Sequence, residues 1–69
     1  MEFKLNSLLE VIYENEKGYI VISMGRLYDY SCKYISLDMS KDYWQLENTV
    51  TIPKDKIKKI RKVNWELWR

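Results

Sequence analysis

"LLEVIYENEKGYIVIS", Leu8 to Ser23, is the stretch on which the fold turns. Its flanks are rich in Val, Ile and Tyr, side chains that suit a pleated strand. Between them "NEKG" has the form of a type I turn that Asn15 starts and Gly18 closes at a left-handed position, so the sequence predicts a β-hairpin. A helix is the rival reading. Ser7 and Glu10 stand at capping-box spacing, and Leu5, Leu8, Leu9 and Ile12 recur at helical intervals. Turn chemistry and β-branching favour the hairpin.

The second strand is expected to run past Ser23 and bend at Gly25, because a glycine inside a strand pattern marks a bulge or a barrel corner. One strand then serves two sheets. In "KYISLDM", Ile35, Leu37 and Met39 alternate with Tyr34, Ser36 and Asp38, the pattern of a strand with one wet face. "SKD" reads as a turn. "YWQLENTVTIP" puts Trp44, Leu46, Val50 and Ile52 in phase, with Trp44 as a core ring, and it stops at Pro53, which cannot donate to a ladder. Residues 8–52 are thus a four-stranded β core, and 53–69 are a basic, aromatic C-terminal segment. That segment has two readings. As a helix from Pro53, it gathers Ile57, Ile60, Val63, Leu67 and Trp68 on one face. As a short "KDK" turn and a strand, it alternates Val63, Trp65 and Leu67 with Lys62, Asn64 and Glu66 and closes a small barrel. The strand is the favoured reading. The expected fold is all-β, or β-rich α+β: a small, five-stranded, strongly bent barrel, with a C-terminal helix as the variant.

Sixty-nine residues make one domain, 1–69, because a chain this short buries only about 60% of its unfolded surface and supports one core. Cys32 is the only cysteine and there is no histidine, so an internal disulfide and a zinc site of the usual spacing are both excluded. Cys32 itself reads as a buried or partly buried thiol. Without histidine there is no Ser-His or Cys-His nucleophile, and no glycine-rich phosphate loop is present. The paired carboxylates Glu14 with Glu16 and Asp38 with Asp42 lie at turns, on a chain too small to build a cleft around them. The expectation is a protein that is not an enzyme and takes no cofactor or metal. The longest clean apolar stretch is "YIVI", far short of the roughly 18 residues that span a bilayer, so no membrane partner is expected. The lone thiol and the lack of a leader pattern point to the cytoplasm. Alanine is absent while Lys, Ile, Tyr, Asn and Leu abound, as AT-rich coding produces, which suggests a low-GC bacterium or its phage.

"LYDY", Leu27 to Tyr30, and the later Ile52-Pro53 resemble motifs of Src-homology-3 domains, although there "LYDY" opens the fold and a longer stretch separates the two. The outline also resembles the Sm-like small barrel, in which a bent "G-x-L-x-D" strand leads into "x-I-x-L" and a late "I-x-x-x-x-I-x-x-I". Gly25, Leu27, Asp29, Ile35, Leu37, Ile52, Ile57 and Ile60 match it. What the resemblance implies is a fold. The Sm-like RNA site, an Asp-x-x-x-Asn loop with a later Arg-Gly or Lys-Gly, is not matched: Asp29 is followed by Tyr30, Ser31, Cys32 and Lys33, and neither dipeptide comes after it.

Charge is divided along the chain. Residues 54–69 hold seven cations against two carboxylates, a net +5, whereas 1–53 hold five against eight, a net −3. Lys54, Lys56, Lys58, Lys59, Arg61 and Lys62 are therefore the nucleic-acid-binding candidates, since a basic stripe beside exposed rings is what single-stranded binders use. Ten aromatic residues are too many for one small core. Tyr28, Tyr30, Tyr34, Tyr43, Trp65 and Trp68 are the protein-binding candidates, because exposed Tyr and Trp make interface hot spots. The first functional expectation is a small binding module that acts through a protein surface, as a phage or mobile-element inhibitor of a bacterial host protein would. The alternative is a nucleic-acid-binding regulator. Self-association is left open.

Overall fold

A computed structural model describes residues 3–40 and 48–64. Five strands make one antiparallel sheet: β1 (Leu8–Glu14), β2 (Ile20–Tyr30), β3 (Tyr34–Asp38), β4 (Thr49–Pro53) and β5 (Ile57–Lys62). Their order is β4-β3-β2-β1-β5. The fold is the small all-β one the sequence predicts, but the sheet is not closed. β5 returns to β1, and among the described residues β4 and β5 are its two edges.

The hairpin forms as the turn residues demand. Asn15 Oδ1 accepts from the N–H groups of Lys17 and Tyr19, each at 3.0 Å, and the Gly18 N–H donates to the Asn15 carbonyl at 3.0 Å. Gly18 takes a φ of +86°, open to glycine at little strain. The helical rival over residues 5–12 is not used.

β2 changes partners midway. Ile20 to Arg26 pair with Glu14 to Leu8, and Arg26 to Tyr30 pair with Asp38 to Ile35. The expected bend at Gly25 sits at that hand-over, and the backbone of β3 passes so close that a Cβ on Gly25 would lie 2.7 Å from the Asp38 carbonyl oxygen. Glycine is required here by space. A bulge follows, where Tyr28 is skipped between the pairs Leu27 with Leu37 and Asp29 with Ser36.

The core fills the inner face with Leu9, Val11, Tyr13, Leu27, Ile35, Leu37 and Ile52. Two expectations need correction. The polar phase of β3 is not wet: Ser36 and Asp38 are 3% and 2% exposed. Ser36 shares a hydroxyl contact with Thr51 at 3.0 Å, and Asp38 joins a buried ion pair. The C-terminal helix is also overturned through residue 62, where Lys54–Lys56 form one 3₁₀ turn and β5 follows. Its three-residue apolar spacing has a strand explanation. A bulge skips Lys58, so Ile57 and Ile60, three apart on β5, face Tyr13 and Val11, two apart on β1. Trp44, Leu46, Trp65, Leu67 and Trp68 lie outside the described residues.

Leu8, Arg26 and Asp38 are register partners across β1, β2 and β3, and all are buried on the face opposite the core. Arg26 Nη2 donates to Asp38 Oδ2 at 3.1 Å and Arg26 Nη1 to Asn6 Oδ1 at 2.9 Å. Asn6 stands at a φ of +74°, and its N–H donates to the Leu27 carbonyl at 2.7 Å. Burial opposes the charge on Asp38. Hydrogen bonds from Ser40, through backbone and hydroxyl, and from Arg26 outweigh it and hold the carboxyl below its ordinary pKa. No helix among the described residues is long and apolar enough to cross a membrane.

Two measurements check this framework. Gly25→Ala adds a methyl where only 2.7 Å is free and is expected to destabilise by about 1–3 kcal/mol, read from denaturant melts. Asp38→Asn leaves the Arg26 charge buried without its counter-ion and should lose about 3–5 kcal/mol at neutral pH. Because the folded pKa of Asp38 is depressed, its stabilisation is complete above about pH 4 and fades as pH falls through the lowered value. That acid limb should vanish from the stability–pH curve of the variant.

Candidate functional site

Alternation along the β1–β2 hairpin puts Val21, Ser23 and Gly25 opposite the inward Tyr13, Val11 and Leu9. The other phase, Ile20, Ile22 and Met24, stands opposite Glu14, Ile12 and Glu10 on the outer face. The usual amphipathicity of a strand is therefore inverted over residues 20–25, with the larger apolar side chains outside. Ile20 and Ile22 are 58% and 63% exposed, and Tyr19 at the turn is 66% exposed. Ile12 and Ile22 are direct cross-strand partners and form the centre of this row.

β5 borders the row with charge. Arg61 grips Glu10 in a two-point contact, Nε to Oε1 at 2.7 Å and Nη2 to Oε2 at 3.3 Å. The hydrogen bond from Arg61 lowers the Glu10 pKa, and Glu10 in turn raises that of Arg61. Lys58 Nζ stands 4.0 Å from Glu14 Oε1, and Lys59 is the register partner of Ile12. An apolar row thus lies beside a row of three cations, two of them engaged with β1 carboxylates.

The sequence candidates distribute unevenly over this geometry. Tyr28, Tyr30 and Tyr34 gather at the β2–β3 turn, apart from the isoleucine row. Tyr28 occupies the bulge, Tyr30 is 42% exposed, and the Tyr34 hydroxyl donates to Asp29 Oδ2 at 3.3 Å. The Asp29 charge disfavours the phenolate and raises the Tyr34 pKa. Tyr43, Trp65 and Trp68 lie outside the described residues. The six cations do not share one surface: Lys54 and Lys56 belong to the 3₁₀ turn, Lys58, Lys59 and Arg61 border the isoleucine row, and Lys62 pairs with Leu9. Cys32, expected at least partly buried, is exposed. Its turn is held by Ser31 Oγ, which accepts from the N–H of Lys33 and of Tyr34, and this keeps the loop on the surface.

Sequence reasoning missed Ile12, Ile20, Ile22 and Met24. The signal was present in "YIVI": an unbroken apolar run is the mark of a strand covered on both faces, and one domain of this size covers only one. Compared with known proteins, the chain matches no family model, no curated protein and no solved structure.

Proposed function

We propose that the protein is a non-enzymatic binding module that docks the outer face of its β1–β2 hairpin onto another protein, one whose contact surface is apolar and bordered by carboxylates. The carrying observation is the exposure of Ile20 and Ile22 over the first turn-side residues of β2, where both are paired to β1. Scattered surface apolars are ordinary, but a row in which Ile20, Ile22 and Met24 share one face with Ile12 is the composition of an interaction patch. Complete burial of an isoleucine is worth about 1.5–3 kcal/mol relative to exposure, so a partner that covers two gains a useful share of its affinity there. The β5 cations favour a partner with carboxylates at the rim, where charge steers encounter more than it holds the complex. Such a module acts by occupying its partner's surface, as an inhibitor of a bacterial protein does. The nucleic-acid alternative loses ground because the six candidate cations do not share one surface.

A tagged pull-down from cell extract, with and without nuclease, tests the reading with two variants. Ile22→Lys should fold normally, since the side chain already faces water, and should lose the captured protein with or without nuclease. The triple change Lys58→Glu, Lys59→Glu and Lys62→Glu should mainly slow association. Oligonucleotide binding that falls steeply with salt, collapses in the lysine variant and survives Ile22→Lys would overturn the proposal.

A further inference from the structure

The open sheet leaves a second feature, at the β4 edge and away from the isoleucine row. Between that edge and the end of β1 lies a cleft of about 250 Å³. Tyr13 and Val50 line its apolar part, Thr51 and Pro53 stand on the β4 side, and Glu14 and Glu16 stand opposite, with Lys56 also present. Tyr13 and Val50 belong to the core or pack against it, so this is where the unclosed sheet exposes its interior.

The backbone of β4 is oriented toward the same gap. The Lys54 N–H donates to the Lys33 carbonyl at 2.8 Å, and the Met39 N–H donates to the Asn48 carbonyl at 2.7 Å. These two bonds fix the phase of the β3–β4 ladder, in which hydrogen-bonded pairs alternate with non-bonded ones. Ile35 with Ile52 and Leu37 with Val50 are then bonded pairs, while Ser36 with Thr51 and Asp38 with Thr49 are not. The N–H and C=O groups of Thr49 and Thr51, and the carbonyl of Pro53, therefore point away from β3. Among the described residues no strand lies on that side. The two edges also differ in charge: β5 carries Lys58, Lys59, Arg61, Lys62 and a bulge, devices that discourage pairing, whereas Thr49–Pro53 has no charged residue.

We infer that β4 accepts an extended segment of another protein as a sixth strand, with one large apolar side chain of that segment in the Tyr13–Val50 cleft and a lysine or arginine facing Glu14 and Glu16. Main-chain hydrogen bonds to Thr49 and Thr51 supply affinity, and the cleft with Glu14 and Glu16, set against Lys56 in the lining and Lys58 4.0 Å from Glu14, supplies selectivity. The occupant is basic because the net charge of the cleft lining is negative. This site is separate from the proposed docking face except at Glu14, which borders both.

The probe is a displayed library of random peptides of about ten residues, long enough for a strand of five or six. Selection on the wild-type protein should enrich sequences that alternate apolar residues with others and carry Lys or Arg. Synthetic versions should bind Thr51→Ser and Ile22→Lys as they bind wild type. They should bind Thr51→Pro about tenfold more weakly, because proline removes an edge N–H that the β3 ladder does not use. Glu14→Gln with Glu16→Gln should weaken them severalfold, and less so in high salt. Thr49→Pro serves as a second edge variant, with melting curves to certify folding. Amide exchange of Thr49 and Thr51 in the wild-type protein should slow when peptide is bound. Failure to enrich any peptide, equal affinity for folded proline variants, loss of binding in Ile22→Lys, or unchanged exchange at Thr49 and Thr51 would each overturn the inference. So would sedimentation of the chain alone as an oligomer that Thr51→Pro dissociates, since the edge would then belong to a second copy.

Discussion

The ion pair between Arg26 and Asp38 sits where β2 passes from one partner strand to the other, and the placement of everything after it depends on that contact. A buried pair of this kind adds little net stability, because desolvation of both charges offsets much of their attraction. Its value is in specification. A one-residue slip of β3 would turn Asp38 toward the apolar core and leave the Arg26 charge buried without its carboxylate, an arrangement far costlier than the paired one. Asn6 extends the same constraint to the N-terminal segment by accepting from Arg26 and donating to the Leu27 carbonyl. Three stretches distant in sequence are thereby set in register by one guanidinium group.

The legible parts of the fold were those governed by local rules. The Asn15–Gly18 turn, the bend at Gly25 and the stop at Pro53 each follow from what one residue's backbone permits. The parts that were misread needed long-range information. Ser36 and Asp38 look solvated because their partners, Thr51 and Arg26, are 15 and 12 residues away. Ile57 and Ile60 carry the spacing of a helix because a bulge at Lys58 inserts one residue between two inward positions, and a bulge is a property of the pairing with β1. The candidate site was half legible. Tyrosine content pointed to the β2–β3 turn, yet the larger exposed row is isoleucine, and nothing in "YIVI" by itself says which phase faces inward.

That phase is decided by crowding at the bend. Gly25 must face inward, since the Asp38 carbonyl leaves no room for a side chain there. Strand alternation then obliges Ser23 and Val21 to face inward as well, and Met24, Ile22 and Ile20 to face outward. The same close approach that lets β2 bend thus places Ile20 and Ile22 on the surface, with Met24 half-buried beside them. An apolar outer row is a consequence of the bend, and it is the surface on which the proposed docking rests.

The unclosed sheet follows from chain economy of a different kind. Three residues of 3₁₀ turn carry the chain from β4 to β5, and β5 completes its ladder on β1, so no further segment among those described lies between the two edges. One edge is fenced by cations and a bulge, the other by threonine hydroxyls and a terminal proline. The β5 cations repel a basic strand of the kind inferred for β4, whereas a neutral edge rejects only strands whose side chains do not fit the adjoining cleft. The asymmetry therefore directs strand addition to β4 and leaves the Tyr13–Val50 opening to select what is added.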